Sequence, residues 1–344
     1  MLAATLYGPM DLKMEEREIP TPQPDEVIVK VSTSGLCPTD VKTYRHGSSS
    51  ARYPVILGHE VSGTIESVGD YAGTYRRGME VNVAADAFCG TCRMCTAGLE
   101  NLCTAPLSLG FNVDGTHADY IKVPGRFIAN GGIFPLNGMD NEMGSMLEPV
   151  ACSLHSLNIM GGKSIRSLAV IGDGPMAMLH VIVARKLGIE QIVMIGLIDW
   201  KLDLAEKLGV STVIQASNTD PVHTVRQAYA DGVEAVAVTV VTRSTMLQAV
   251  KMASRRGCVN IFAGVPSDQM PLDADTNAIH YGELTLTGSS GYTYDEYRNG
   301  MNMAASSEAA MKSIITHRFS LNELRKAIDC WDDKNKSLKI LISH

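Results

Sequence analysis

The sequence predicts an α/β protein of two domains, one of them built on a doubly wound parallel sheet. Three observations predict it. Between Leu168 and Thr287, short apolar runs alternate with stretches of helical character, the pattern of a parallel sheet wrapped by helices. The first run enters its helix through a glycine-rich turn, Gly172-Asp173-Gly174-Pro175-Met176-Ala177. The chain has 344 residues, room for two cores at roughly 150 residues per domain.

Each element follows from local pattern. Leu168–Ile171 is apolar and β-branched, as a buried parallel strand should be. The segment after the turn keeps helical character to Leu187, and Gly188 closes it. Gln191–Ile195 reads as a second strand and Asp199–Leu208 as a second helix. Thr212–Ile214, Glu234–Val240, Gly257–Phe262 and Leu284–Thr287 are the further strands.

Composition excludes several classes. With 45% hydrophobic and 19% charged residues the chain is globular rather than disordered or collagen-like. Thirty Lys plus Arg against 37 Asp plus Glu leave a net charge of −7, with no basic block, which argues against a nucleic-acid surface. The N-terminal MLAATLYGPMDLKMEERE lacks a basic n-region and turns charged before an apolar core can form, unlike a signal peptide. The most apolar stretch, Leu168–Ala184, is interrupted by Asp173, His180 and two glycines, so it reads as strand and helix rather than a membrane span. The expected location is the cytoplasm.

The glycine turn has the form G-x-G-x-x-A in a strand–turn–helix context, which points to a dinucleotide. Gly172 makes the turn, Gly174 lets the backbone approach a pyrophosphate, and Ala177 lets helix pack on strand. Pro175 and Met176 open the helix, whose N-terminus offers unpaired N–H groups to phosphate. The acid expected at the end of the second strand is missing: Gly196 occupies that place, and Asp199 is better placed to cap the next helix. Losing the acid removes repulsion against a 2′-phosphate. The cofactor is therefore NAD or NADP with a lean to NADP, and Lys201 or Arg243 are the cations that could grip the phosphate.

Four of the eight cysteines, Cys89, Cys92, Cys95 and Cys103, fall within fifteen residues as C-x2-C-x2-C-x7-C. In a reducing compartment such crowding reads as metal ligation. Four thiolates close a tetrahedron and leave no open position, so a structural zinc is expected. An iron–sulfur run fails at the fourth ligand, where the gap is seven and Thr104 follows. Cys258 and Cys330 read as inert core residues, as does Cys152.

Three further segments carry mixed ligands: Gly35-Leu-Cys37-Pro-Thr39-Asp40, Gly58-His59-Glu60 and Met146-Leu-Glu148-Pro149. Cys, His and Glu together make a three-ligand zinc site with one position open for water or substrate. Spacing alone does not bring them together. His59 could be a satisfied core histidine and Glu148 a helix cap.

On these motifs the chain resembles the zinc-containing medium-chain alcohol and polyol dehydrogenases, among them sorbitol, galactitol-phosphate and threonine dehydrogenases. The likeness runs through Pro54-Val-Ile-Leu-Gly58-His59-Glu60, the four-cysteine lobe, Leu147-Glu148-Pro149, the glycine turn, His280–Ser289 and Ile315–Phe319. It implies a catalytic GroES-like β-rich domain from residues 1–150 and 290–344, with a Rossmann domain, 151–289, inserted between them. It implies catalytic zinc on Cys37 and His59, with Glu60 or Glu148 as third ligand, or the two in exchange. It also implies that Thr39 passes the substrate proton. Many members carry His two residues after the motif's Asp. Here stands Lys42, which puts the outer relay in question, with His46 as an alternative.

The implied reaction is reversible oxidation of a secondary alcohol to a ketone, with hydride passing to NAD or NADP. A Cys/His/Glu set suits a hydroxylated substrate, so a polyol, sugar alcohol or sugar phosphate is expected over ethanol. A threonine-type or simple secondary-alcohol dehydrogenase is the alternative. A non-catalytic nucleotide-binding regulator and a zinc-independent quinone or enoyl reductase are the rivals. The resemblance further implies a homodimer or homotetramer.

Overall fold

The computed structural model describes residues 1–265 and 275–344. The described chain divides into two compact units, Met1–Glu148 with Thr293–His344, and Pro149–Tyr292.

In the second unit a six-stranded sheet is parallel throughout. From edge to edge its strands are Thr212–Gln215, Gln191–Gly196, Ser167–Ile171, Val233–Val238, Ala253–Ile261 and Thr285–Gly288. The order reverses beside Ser167–Ile171, which pairs with Gln191–Gly196 on one side and Val233–Val238 on the other. Ligands of such sheets bind beyond the carboxyl ends of the strands at that reversal. Ser167–Ile171 is buried along its whole length, as a central strand covered on both faces must be. Its helix, Pro175–Leu187, starts on a proline, whose fixed φ suits the first helical turn. Ala169, Ile171, Val193, Val236, Val238 and Val259 belong to one apolar core.

The first unit is β-rich. A mixed sheet runs Ile133–Pro135, Glu80–Val83, Glu60–Val68, Val27–Leu36, Lys339–Ser343 and Ile315–Ser320, with Tyr120–Val123 also on Val27–Leu36. The strand Val27–Leu36 thus pairs with three others, and alternating Val27, Val29 and Val31 feed the core with Val61, Ile65, Val81 and Ile121. The ligand-bearing segments hang on these strands. Cys37 follows Val27–Leu36 directly and is the N-cap of the helix Pro38–His46, while Glu60 begins Glu60–Val68. Gly35 pairs with Glu60 in register, so the two segments meet at their ends. Among the described residues no helix is long and apolar enough to cross a membrane.

Candidate metal centres and dinucleotide turn

Cys37, His59 and Glu60 converge: one ligand atom from each lies within 4.8 Å of the others. His59 and Glu60 are 6% and 1% exposed, so the site is walled off apart from the Cys37 side. Local structure explains the convergence. Asp40, at 2% exposure, accepts a hydrogen bond from the Cys37 backbone N–H at 3.1 Å, closing the first turn of the helix. Its other oxygen lies 3.3 Å from His59 Nδ1. A carboxylate facing one ring nitrogen orients the imidazole and leaves the second nitrogen for a metal.

The electrostatics of the pocket call for positive charge. Burial opposes ionisation of Asp40, yet His59 and His117 pull its pKa well below the carboxylate range. Burial works against a protonated His59, but Asp40 and then Cys37 outweigh it and raise its pKa. Phe111 stands beside the pocket, its ring 6.2 Å from that of His59.

Several residues of the site escaped the sequence reading. His117 is wholly buried, with Nε2 3.6 Å from Asp40. Its Nδ1 lies 3.0 Å from Ser34 Oγ, which in turn is 2.9 Å from His344 Nε2. Lys339, 3% exposed, donates from Nζ to Glu60 Oε2. A Cβ on residue 35 would sit 1.7 Å from that oxygen, so only glycine admits the Glu60–Lys339 pair. The signals were weak: a lone His in a turn, a Lys in a strand and a terminal His.

Glu148 does not join the close set formed by Cys37, His59 and Glu60. It is half-buried in the first turn of the helix Leu147–Ile159. Thr39 and Lys42 lie on exposed positions of the helix Pro38–His46, and His46 is its exposed last residue. Tyr44 and Tyr292 are core residues at 2% and 1% exposure.

The second set, Cys89, Cys92, Cys95 and Cys103, also gathers within 4.8 Å. Cys92 caps the four-residue helix Arg93–Thr96, which carries Cys95. The sulfurs of Cys92 and Cys95 are 3.5 Å apart, and those of Cys89 and Cys95 3.9 Å. Backbone N–H groups point at them: Cys92 N–H donates to Cys89 at 3.3 Å and Cys89 N–H to Cys103 at 3.2 Å. Such donors favour thiolate, and a backbone hydrogen bond at Cys95 helps bring Cys92 down to about 5. Desolvation, then the hydrogen bond with Cys92, pushes Cys95 up to about 12. A divalent cation relieves that conflict, because it stabilises all four thiolates together.

In the second unit Gly172, at φ 124°, turns the chain and Gly174 caps the helix Pro175–Leu187. Gly196 ends the second strand. Asp199 is not the cap of the next helix: Ile198 is, and Asp199 is the first helical residue, its carboxylate accepting from Gln215 Nε2 at 2.8 Å. Ahead of that helix, Asp173 Oδ2 accepts the N–H groups of Leu197 and Ile198 at 2.7 and 3.0 Å. Lys201 is buried at 2% exposure, with its ammonium 5.5 Å over the Trp200 ring. Burial lowers its pKa, with Asp173 opposing. Arg243 is exposed at the start of the helix Arg243–Met252.

Two family models match the chain. The alcohol dehydrogenase GroES-like domain matches residues 23–131, and the zinc-binding dehydrogenase model matches 175–306. The chain is 30% identical to an L-threonine 3-dehydrogenase of Bacillus licheniformis over 90% of each chain. It is 28% identical to a sorbitol dehydrogenase of Bacillus subtilis over 99% of this chain and 97% of that one. A zinc-binding dehydrogenase from Sinorhizobium meliloti, solved bound to NADP, superposes with a TM-score of 0.89 at 27% identity, covering 100% of this chain and 99% of the other. With the β-rich unit and the parallel-sheet unit both matched, the chain belongs to the zinc-type alcohol dehydrogenase family and is an oxidoreductase.

Proposed function

We propose that this protein reversibly oxidises a secondary alcohol of a polyol, sugar alcohol or sugar phosphate with a nicotinamide dinucleotide. Cys37, His59 and Glu60 would hold a catalytic zinc, and the four-cysteine lobe a structural one. The observation that carries this reading is the convergence of half-buried Cys37 with buried His59 and Glu60, with Asp40 behind the imidazole. When bound, zinc would supply Lewis acidity at the alcohol oxygen, and the dinucleotide would accept hydride.

The chain's own residues do the rest. Asp40 holds His59 by its Nδ1 side and keeps that ring from turning. Lys339 neutralises Glu60 and fixes where its carboxylate points. Glu148 is the second carboxylate on offer, able to take over as ligand when Glu60 stays with Lys339. Thr39 follows Cys37 by two residues on an exposed position, suited to take the hydroxyl proton and pass it to solvent. A site with one thiolate and one or two carboxylates is harder than a two-thiolate site and favours oxygen-rich substrates. A homodimer or homotetramer in the cytoplasm completes the proposal.

The test is a panel of hexitols, pentitols, their phosphates, butanediols and threonine with NAD and NADP. Reduced nucleotide should form with at least one polyol. Cys37→Ser should lower turnover by more than about a hundredfold, since loss of even a supporting residue costs a metal site 10–100-fold. Zinc-free protein that still turns over, or silence across the panel with zinc bound, would refute the reading. Threonine alone as substrate would favour the threonine-type alternative, which the B. licheniformis relative supports.

A further inference from the structure

We propose that Asp173, inside the glycine turn, selects the dinucleotide: its carboxylate replaces the acid missing at Gly196, accepts the adenosine ribose hydroxyls and rejects a 2′-phosphate. The proposal rests on dinucleotide binding by the second unit and reverses the preference expected from Gly196 alone.

In a strand–turn–helix site the pyrophosphate sits on the helix N-terminus and the ribose 2′-position is read at the end of the second strand. Asp173 is anchored at that end. Its Oδ2 receives the N–H groups of Leu197 and Ile198, the two residues after the strand Gln191–Gly196, at 2.7 and 3.0 Å. Those N–H groups are natural donors for a 2′-phosphate, and a carboxylate already holds both. Among the described residues Oδ1 takes no hydrogen bond and keeps its lone pairs for hydroxyl donors.

Gly196 is the other half of the arrangement. A Cβ there would lie 2.8 Å from Asp173 Cβ and 2.9 Å from Asp173 Oδ2. An acid at 196 and the anchored acid at 173 therefore exclude each other. The missing carboxylate has moved from the strand to the turn. A 2′-phosphate would meet this fixed negative charge, while Lys201 is buried and already attracted by the Asp173 carboxylate rather than presented to a phosphate. The result is like-charge juxtaposition, a strong source of discrimination.

The test is calorimetric titration of the intact protein with NADH and NADPH separately, with Asp173→Asn, Asp173→Ser and the double variant Asp173→Gly/Gly196→Asp, in which glycine removes the Cβ that a side chain at 196 would meet. In the wild type NADH should bind about a hundredfold more tightly than NADPH. Either single variant should narrow that ratio to about tenfold or less, chiefly by tightening NADPH, and the double variant should restore it. In the wild type 5′-AMP should also outcompete 2′,5′-ADP, a comparison that needs no variant. NADPH binding as tightly as NADH to the wild type, or an unchanged ratio in natively folded single variants, overturns the proposal. Binding of neither nucleotide would instead overturn the dinucleotide reading, and this proposal with it.

Discussion

His180 lies wholly inside the second unit on the helix Pro175–Leu187. Its Nδ1 is 2.7 Å from the Met176 carbonyl, and its ring meets Phe262 edge-on at 4.6 Å. Burial pushes its pKa from 6.5 down to about 4, against the pull of that carbonyl. The unfolded chain takes up this proton near pH 6.5, whereas the folded chain resists until about pH 4. Acid therefore favours unfolding across that window, and the stability present above pH 6.5 is lost as pH falls. At about 1.4 kcal/mol per unit, roughly 2 kcal/mol should be gone by pH 5. Urea midpoints at pH 7 and pH 5 measure this, and His180→Leu should flatten the slope whatever it does to stability at neutral pH. An equal slope in both proteins would count against the burial argument. His344, brought down to about 3 by burial and then His117, acts in the same direction, so some slope remains in the variant.

At the scale of elements, the four-cysteine lobe contrasts with the sheets around it. Neither its helix Arg93–Thr96 nor its short helical turn Glu100–Leu102 buries a residue. Elements with no apolar face gain little from packing, so the lobe depends on its ion. Cys95→Ser should bind one zinc fewer per chain by elemental analysis and be cut faster by trypsin after Arg93, while the sheet core stays intact. Undiminished zinc would exclude the cluster as a site. This lobe was legible because its ligands are near neighbours in sequence. So were the parallel strands, each a short apolar run between helical periods. The helix after Gly196 begins at Asp199 as expected, but its cap is Ile198, and Asp173, 24 positions before Leu197, accepts the Leu197 N–H. Local pattern does not encode that hydrogen bond.

For the molecule as a whole, the expected stoichiometry is two zinc ions per chain, one in an open set and one in a closed set. A chelator should abolish turnover before it lowers the thermal midpoint, since an ion with a free coordination position is the easier to capture. Simultaneous loss would argue against two distinct sites. The motifs on Cys37, His59 and Glu60 were readable; their surroundings were not. Lys339 reaches Glu60 across 279 positions, and Ser34 reaches His344 across 310. Burial and register bring such pairs together only once the sheet exists. The strand Lys339–Ser343 lies between Val27–Leu36 and Ile315–Ser320, so the sheet that carries the Glu60 partner stays open until residue 343 has left the ribosome. During synthesis, Pro149–Tyr292 emerges whole while the earlier β-rich segment still waits for its missing staves. Any fusion or trimming near the carboxyl end would thus be felt at the metal pocket before it was felt in the nucleotide half.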